Sequence, residues 1–178
     1  KKHRKKEILN ASKAIGIDET IFLGLPDGNV LRSLEVLDRL VGIIRKVRPQ
    51  IVISMNPLDS HYDHKKIGEI AGEAAERAGW LNSKELGTSY RIPLFLYMEG
   101  TLFGRNDILI DISKYVKRKE KIFSIYKSQI TDGEKKMLYA MNIYRGFNKG
   151  SELAEAFEIA HDLPAHLNEV IDIFKSKS

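Results

Sequence analysis

The sequence contains no cysteine and only one tryptophan among its 178 residues. A chain without thiols forms no disulfide and offers no thiolate ligand, so a metal site would have to use histidine and carboxylate side chains. The absence of cysteine also agrees with the reducing conditions of the cytoplasm. We therefore predict a cytoplasmic protein without a disulfide framework.

Long hydrophobic runs are also missing. No apolar stretch approaches the ~20 residues that a membrane-spanning helix needs, and the basic start is not followed by the hydrophobic segment of a signal peptide. We expect no membrane partner. The chain begins at Lys1 rather than Met, within a charged segment that already has helical periodicity, so we expect it to be part of a longer protein.

The charge is moderately basic, with 29 Lys and Arg against 24 Asp and Glu. Much of the excess lies in KKHRKK at the start and KSKS at the end, which leaves the middle nearly balanced. A basic nucleic-acid-binding module is therefore a weak alternative, and we expect no nucleic-acid partner. The length and the 43% hydrophobic content predict a single domain over residues 1–178. A homo-oligomer is left open.

Helical and strand patterns alternate along the chain. Apolar residues with helical spacing predict helices over 5–15, 31–47, the segment after DSHYDH, 114–129 and 163–174. Short apolar runs predict strands at IFLGL, IVISM, IPLFLYM and DILIDIS. The order predicts an α/β fold, a Rossmann-like three-layer sandwich with a mostly parallel central sheet, whose ligands bind outside the carboxyl ends of the strands.

DSHYDH follows the IVISM strand and precedes a helix, which is where such a fold places a site. His64 could be a zinc ligand, since catalytic zinc usually takes three protein ligands and leaves a position for water. His61 could face the same cavity and donate a proton or stabilise an oxyanion. Asp59 or Asp63 could hold an imidazole in one tautomer. In the structural alternative, Asp63 is a helix N-cap and the histidines are ordinary exposed residues.

Glu99 lies at the end of the IPLFLYM strand. It could reach the same pocket as DSHYDH, although an acid at a strand end is more often only solvated.

Several stretches, in order from Arg4 to Phe157, together resemble one family. HYDH, entered through VRPQIVIS, looks like the motif HPDH, and FLGLPDG is close to a word-for-word match. RKKE with AIGI, YKSQ, and RGFNKGSELAEAF are similar to further family segments. The family is the LmbE-like (PIG-L) group of zinc-dependent N-acetylglucosaminide deacetylases.

The resemblance implies Zn²⁺ as cofactor and a small-molecule N-acetylglucosamine conjugate as substrate, with the N-acetyl group removed by metal-activated water. It implies that His64 is a zinc ligand, and that His61 stabilises the tetrahedral intermediate or protonates the leaving amine. Asp63 would orient His61. Arg4 and Asp27 match positions that line the substrate pocket.

The sequence departs from the family at two places. Tyr62 stands where the family has proline in HPDH, which removes a fixed backbone dihedral. The first family motif, AHPDD, has no match; it supplies another zinc histidine, a zinc aspartate and the general base, and we expect a segment before Arg4 to carry it.

Two questions remain open at this stage. One alternative is a catalytically inactive LmbE-like domain that binds a sugar or a protein partner. The group attached to the N-acetylglucosamine, whether inositol, malate, a second sugar or a nucleotide, is also undetermined.

Overall fold

A computed structural model describes residues 2–100 and 103–160 of the chain. In chain order the elements are α1 Lys2–Ile15, α2 Leu34–Val47, β1 Ile51–Met55, α3 Tyr62–Ala78, β2 Leu94–Met98, β3 Ile108–Asp111, α4 Val116–Phe123, α5 Asp132–Lys149 and β4 Ala154–Ile159. Short 3-10 turns occupy Lys84–Leu86 and Ser113–Tyr115. The helix predicted over 163–174 lies outside the described residues.

The four strands form one sheet in the order β1-β2-β4-β3. Strand β1 runs parallel to β2, with Ile51 opposite Leu94, whereas β4 runs antiparallel to β2, with Ile159 opposite Leu96. The α/β class is confirmed, but the expectation of a mostly parallel sheet is wrong. Strand β4 inserts beside β2 in the opposite direction, and its AEAFEI sequence has too few branched apolar residues to predict a strand.

Three further expectations differ from the structure. The IFLGL run forms no strand, and its Ile21 and Phe22 are 45% and 36% exposed. The helix predicted over 114–129 ends at Phe123. Helix α5 was not predicted, although Thr131 and Glu134 form a reciprocal capping box that TDGE encodes.

The chain divides into two compact units, each built from two stretches of sequence. Of the described residues, the first unit comprises those up to Leu23 and Leu109–Glu155, and the second comprises those between Gly24 and Ile108 and those from Ala156 to Ala160. Within the described ranges, no helix combines the length and hydrophobicity needed to span a membrane.

In the first unit, the carboxylate of Glu7 on α1 accepts hydrogen bonds from the backbone and the hydroxyl of Ser128. The Ser128 hydroxyl is the main cause of a lowered pKa at Glu7, while burial acts in the opposite direction. Arg118 on α4 donates to the carbonyl of Ile15 at the end of α1. These polar contacts hold the middle and the C-terminal end of α1 within its unit.

In the second unit, α2 and α3 pack against each other through a buried cluster that includes Leu37, Val41 and Ala74. Helix α3 also lies very close to the end of β1. A Cβ added at Gly68 would lie 2.5 Å from the carbonyl oxygen of Met55 and 2.7 Å from the nitrogen of Pro57. This close approach places the first turn of α3 beside the carboxyl end of β1.

The other end of α3 is held by Arg45, a buried cation on α2. Its guanidinium donates to the backbone carbonyls of Arg77, Ala78, Trp80, Asn82, Ser83 and Gly87. A cation is favourable there because the carbonyl end of a helix carries partial negative charge. Arg45 thus satisfies carbonyls at the end of α3 and in the loop that follows.

Candidate active site

The segment between β1 and α3 is ordered by its own polar side chains. The amide of Leu58 donates to the side chain of Asn56 at 2.8 Å, and the amide of His61 donates to Oδ1 of Asp59 at 2.8 Å. His61 is the N-cap residue of α3, with φ −78° and ψ 125°, and its side chain makes no capping hydrogen bond. The interpretation of Asp63 as the N-cap is therefore wrong, since Asp63 lies inside the first turn.

Asp63 is buried and binds a distant loop instead. Its Oδ2 accepts from the amide of Gly28 at 2.6 Å, and its Oδ1 accepts from the amide of Val30 at 3.2 Å. The Gly28 hydrogen bond is the main cause of a lowered pKa at Asp63; burial opposes it, and Val30, His61 and His64 add to the lowering. Asp63 thus connects the LPDG turn to the start of α3, and its implied role in orienting His61 stays a prediction.

The two histidines lie in contact. Their ring centroids are 4.5 Å apart with an angle of 31° between the planes. Nδ1 of His64 is buried without a hydrogen-bond partner, and it lies 3.5 Å from Oδ2 of Asp59. That distance is too long for a good hydrogen bond. Of the two aspartates that could hold an imidazole, Asp59 is the one beside the His64 ring.

A cavity of about 400 Å³ begins where β1 and β2 end. Its lining comprises Asn56, Leu58, Asp59, Glu99, Gly100, Phe103, Gly104, Arg105 and Glu158. Three carboxylates and one guanidinium are among these side chains, so the lining is mainly acidic.

Hydrogen bonds fix the polar wall of this cavity. Asn56 donates to Glu158 at 3.0 Å, and the amide of Gly104 donates to Glu99 at 3.0 Å. Arg105 pairs with Asp107 at 3.2 Å. Sequence reasoning weighed Glu99 but missed Asn56 and Glu158, since no sequence pattern connects these two residues.

The structure brings together four of the predicted site residues. His61, Asp63 and His64 lie at the start of α3, and exposed Asp27 precedes Gly28, whose amide binds Asp63. Arg4 is exposed on α1 in the other unit, and its part in the site stays a prediction.

The donor chemistry around His64 suits zinc in kind, because zinc binds imidazole nitrogen and carboxylate oxygen. The buried, unpartnered Nδ1 of His64 faces Asp59, an arrangement in which a carboxylate can orient a ligating imidazole. Over the ranges that the structure describes, however, no group of three or more potential ligands is placed to hold a metal ion. These residues therefore fit one ligand position of a zinc site rather than a complete set.

A family model matches the segment of the chain that contains DSHYDH. The model of the PIG-L family, described as GlcNAc-PI de-N-acetylase, matches residues 1–75. This range contains α1, the LPDG turn, β1 and DSHYDH. The resemblance to the PIG-L family is confirmed. The match supports a deacetylase-type function for this PIG-L-like chain.

Solved structures share its fold. The conserved protein TT1542 from Thermus thermophilus is 27% identical, with a TM-score of 0.83, over 92% of this chain and 75% of that protein. N,N'-diacetylchitobiose deacetylase from Pyrococcus horikoshii is 22% identical, with a TM-score of 0.78, over 88% of this chain. The present chain spans 62% of that deacetylase.

A third similar structure carries a different activity. GalB, the 4-carboxy-2-hydroxymuconate hydratase from Pseudomonas putida KT2440, is 19% identical, with a TM-score of 0.76, over 90% of this chain and 72% of that protein. A deacetylase and a hydratase thus share this architecture. The fold alone does not decide the chemistry, which has to be argued from the site.

Proposed function

We propose that this chain belongs to a zinc-dependent hydrolase that removes the N-acetyl group from a small molecule containing N-acetylglucosamine. The observation that carries the proposal is the contact between His61 and His64, with buried Asp59 beside the His64 ring and a cavity adjoining Asp59. His61, His64 and Asp59 lie within the segment that matches a de-N-acetylase family model.

His64 is assigned as a metal ligand through Nε2, because its Nδ1 is buried toward Asp59. Bound zinc would polarise the acetamide carbonyl and lower the pKa of a water ligand toward ~7. In the family that the chain resembles, the remaining ligands and the general base belong to the AHPDD motif, which has no match in this sequence.

His61 is assigned the proton and oxyanion chemistry. As an imidazolium it donates a hydrogen bond to the carbonyl oxygen as negative charge develops there. When the carbon–nitrogen bond breaks, His61 transfers its proton to the amine nitrogen, and the attacking water oxygen leaves in acetate. The contact with His64 keeps this imidazole close to the proposed metal position.

Asp27 is assigned to substrate positioning, and Asp63 keeps its proposed role of orienting His61 beside a second role in the turn that carries Asp27. Asp63 holds the LPDG turn through the Gly28 amide, and the same turn carries Asp27. Asp27 and Arg4 would then contact sugar hydroxyls or the acyl group. Loss of Asp63 would therefore weaken substrate binding as well as the orientation of His61.

The test is release of acetate from a panel of N-acetylglucosamine conjugates in the presence of zinc. His61→Ala should lower turnover by about 10²–10³, which is typical for the loss of one oxyanion donor. Lys65→Ala, which removes an exposed side chain from the same helix, is the matched control and should leave turnover unchanged. If the folded, zinc-supplied protein releases no acetate from any conjugate, the proposal fails.

A further inference from the structure

Asp59 makes two contacts on different parts of the site. Its side chain is only 1% exposed. Oδ1 accepts the amide of His61 at 2.8 Å, and Oδ2 lies 3.5 Å from Nδ1 of His64. One buried carboxylate therefore faces both the backbone of His61 and the ring of His64.

Gly100, shortly after β2, confines this carboxylate from another side. A Cβ added at Gly100 would lie 2.0 Å from Oδ2 and 3.2 Å from Cγ of Asp59, and 3.7 Å from Nδ1 of His64. Real side chains do not tolerate the first of these distances, so a larger residue at position 100 would displace Asp59. The position of Asp59 thus depends on the absence of a side chain at Gly100.

Asp63 is not the residue that faces the His64 ring nitrogen. Its two oxygens accept the amides of Gly28 and Val30. Nδ1 of His64 is buried and lacks a hydrogen-bond partner, which is costly for a polar atom, and Oδ2 of Asp59 is the acceptor that faces it. A good hydrogen bond between these two atoms requires the 3.5 Å separation to shorten by a few tenths of an ångström.

We propose that Asp59 is a positioning residue that holds His64 in the Nδ1–H tautomer and so directs Nε2 toward the metal, with Gly100 as the structural requirement. A carboxylate that accepts the second N–H of a ligating histidine fixes the ring and raises its basicity as a ligand. The inference rests on the proposed function, in which His64 is the metal ligand.

The tautomer can be measured without metal or turnover. In nitrogen-15 histidine spectra of the metal-free protein at about pH 8, where imidazoles are neutral, wild-type His64 should give the Nδ1–H pattern. His64→Ala identifies the signal by its loss. Asp59→Asn should reduce the Nδ1–H population. A wild-type His64 in the Nε2–H tautomer would overturn the inference even if Asp59→Asn fails to fold.

Zinc binding gives the second readout. Asp59→Asn should raise the zinc dissociation constant about 10- to 100-fold, and Gly100→Ala should also raise it. Glu158→Gln removes a cavity carboxylate that Asn56 binds, so as the matched control it should leave zinc affinity unchanged. If folded Asp59→Asn binds zinc as tightly as wild type while His64→Ala loses zinc, the inference about Asp59 is contradicted and the proposed function is not. Full zinc retention in His64→Ala would contradict the proposed function instead.

Discussion

At the scale of single residues, Asp63 has the clearest structural role. It connects two segments 35 residues apart through the amide of Gly28, and a second amide, that of Val30, occupies its other oxygen. A carboxylate that accepts backbone amides is favoured in its charged form. The LPDG turn and the first turn of α3 are thereby joined by one side chain.

We expect Asp63→Asn to lower the midpoint of thermal unfolding at neutral pH, because one acceptor oxygen is replaced by a donor that faces an amide. The pKa of Asp63 is lowered in the folded state, so its stabilisation is present above the unfolded-state pKa and is lost as pH falls below about 4. The difference between wild type and variant should therefore shrink in acid.

Thermal scans across this pH range provide the measurement. Glu69→Gln is the matched control, since it removes the same charge from the exposed side of α3. An Asp63→Asn protein as stable as wild type at neutral pH would show that the loop does not depend on this anchor.

The sequence was sufficient to predict some of the site residues and not others. His61 and His64 were found because their spacing after an apolar strand is local information; the strand itself is only partly buried, with Ile53 49% exposed. Asn56 and Glu158 were missed because they are 102 residues apart and meet only after β4 has paired with β2. The contact of Asp63 with the LPDG turn was missed for the same reason, since its partners are backbone amides of a distant loop; its predicted role in orienting His61 stays a prediction.

At the scale of elements, the close packing of α3 on the end of β1 decides where DSHYDH lies. Gly68→Ala would force a Cβ into the backbone of Met55 and Pro57. We expect a loss of about 1–3 kcal/mol in the free energy of unfolding, as for other overpacked sites, and weaker zinc binding because the first turn of α3 must move.

Gly42→Ala is the control for helix propensity. An added Cβ at Gly42 on α2 meets nothing within 4 Å. The free energy of unfolding of this variant should therefore rise by about 0.5–1 kcal/mol. Denaturant unfolding of both variants checks the pair. Equal gains in the free energy of unfolding for Gly68→Ala and Gly42→Ala would mean that α3 is not closely packed against the end of β1.

Element prediction from the sequence succeeded where periodicity was strong. Strands β1 and β2 were predicted because each is a short, nearly continuous apolar run, and helix α3 was predicted because its apolar residues follow the helical period. Helix α5 was overlooked because its TDGE start was not recognised as a capping box. Strand β4 and the mixed sheet depend on long-range pairing, which short sequence windows do not encode.

At the scale of the whole molecule, the modest positive charge of the chain contrasts with its acidic cavity. Among the described residues, Asp59, Glu99 and Glu158 line the cavity, and the one guanidinium in this lining, that of Arg105, is paired with Asp107. Such a lining favours neutral, hydroxyl-rich groups over anionic ones, because like charges repel more strongly away from bulk water.

We therefore expect conjugates of N-acetylglucosamine with inositol or a second sugar to be hydrolysed with a kcat/KM about tenfold above that of malate or nucleotide conjugates. The ratio of kcat/KM for neutral conjugates to kcat/KM for anionic conjugates should fall at high salt, which screens charge. It should also fall in Glu158→Gln, which removes one negative charge from the cavity. Acetate release at two ionic strengths measures it. Faster turnover of an anionic conjugate would contradict this account of the cavity.

The central claim is that His64 binds the catalytic metal while His61 acts on the substrate. Zinc content per chain after equilibration with zinc and removal of the excess, measured for wild type, His64→Ala and His61→Ala, tests it most directly. The account predicts that wild type and His61→Ala retain zinc and that His64→Ala loses it. Full zinc content in His64→Ala would contradict the claim.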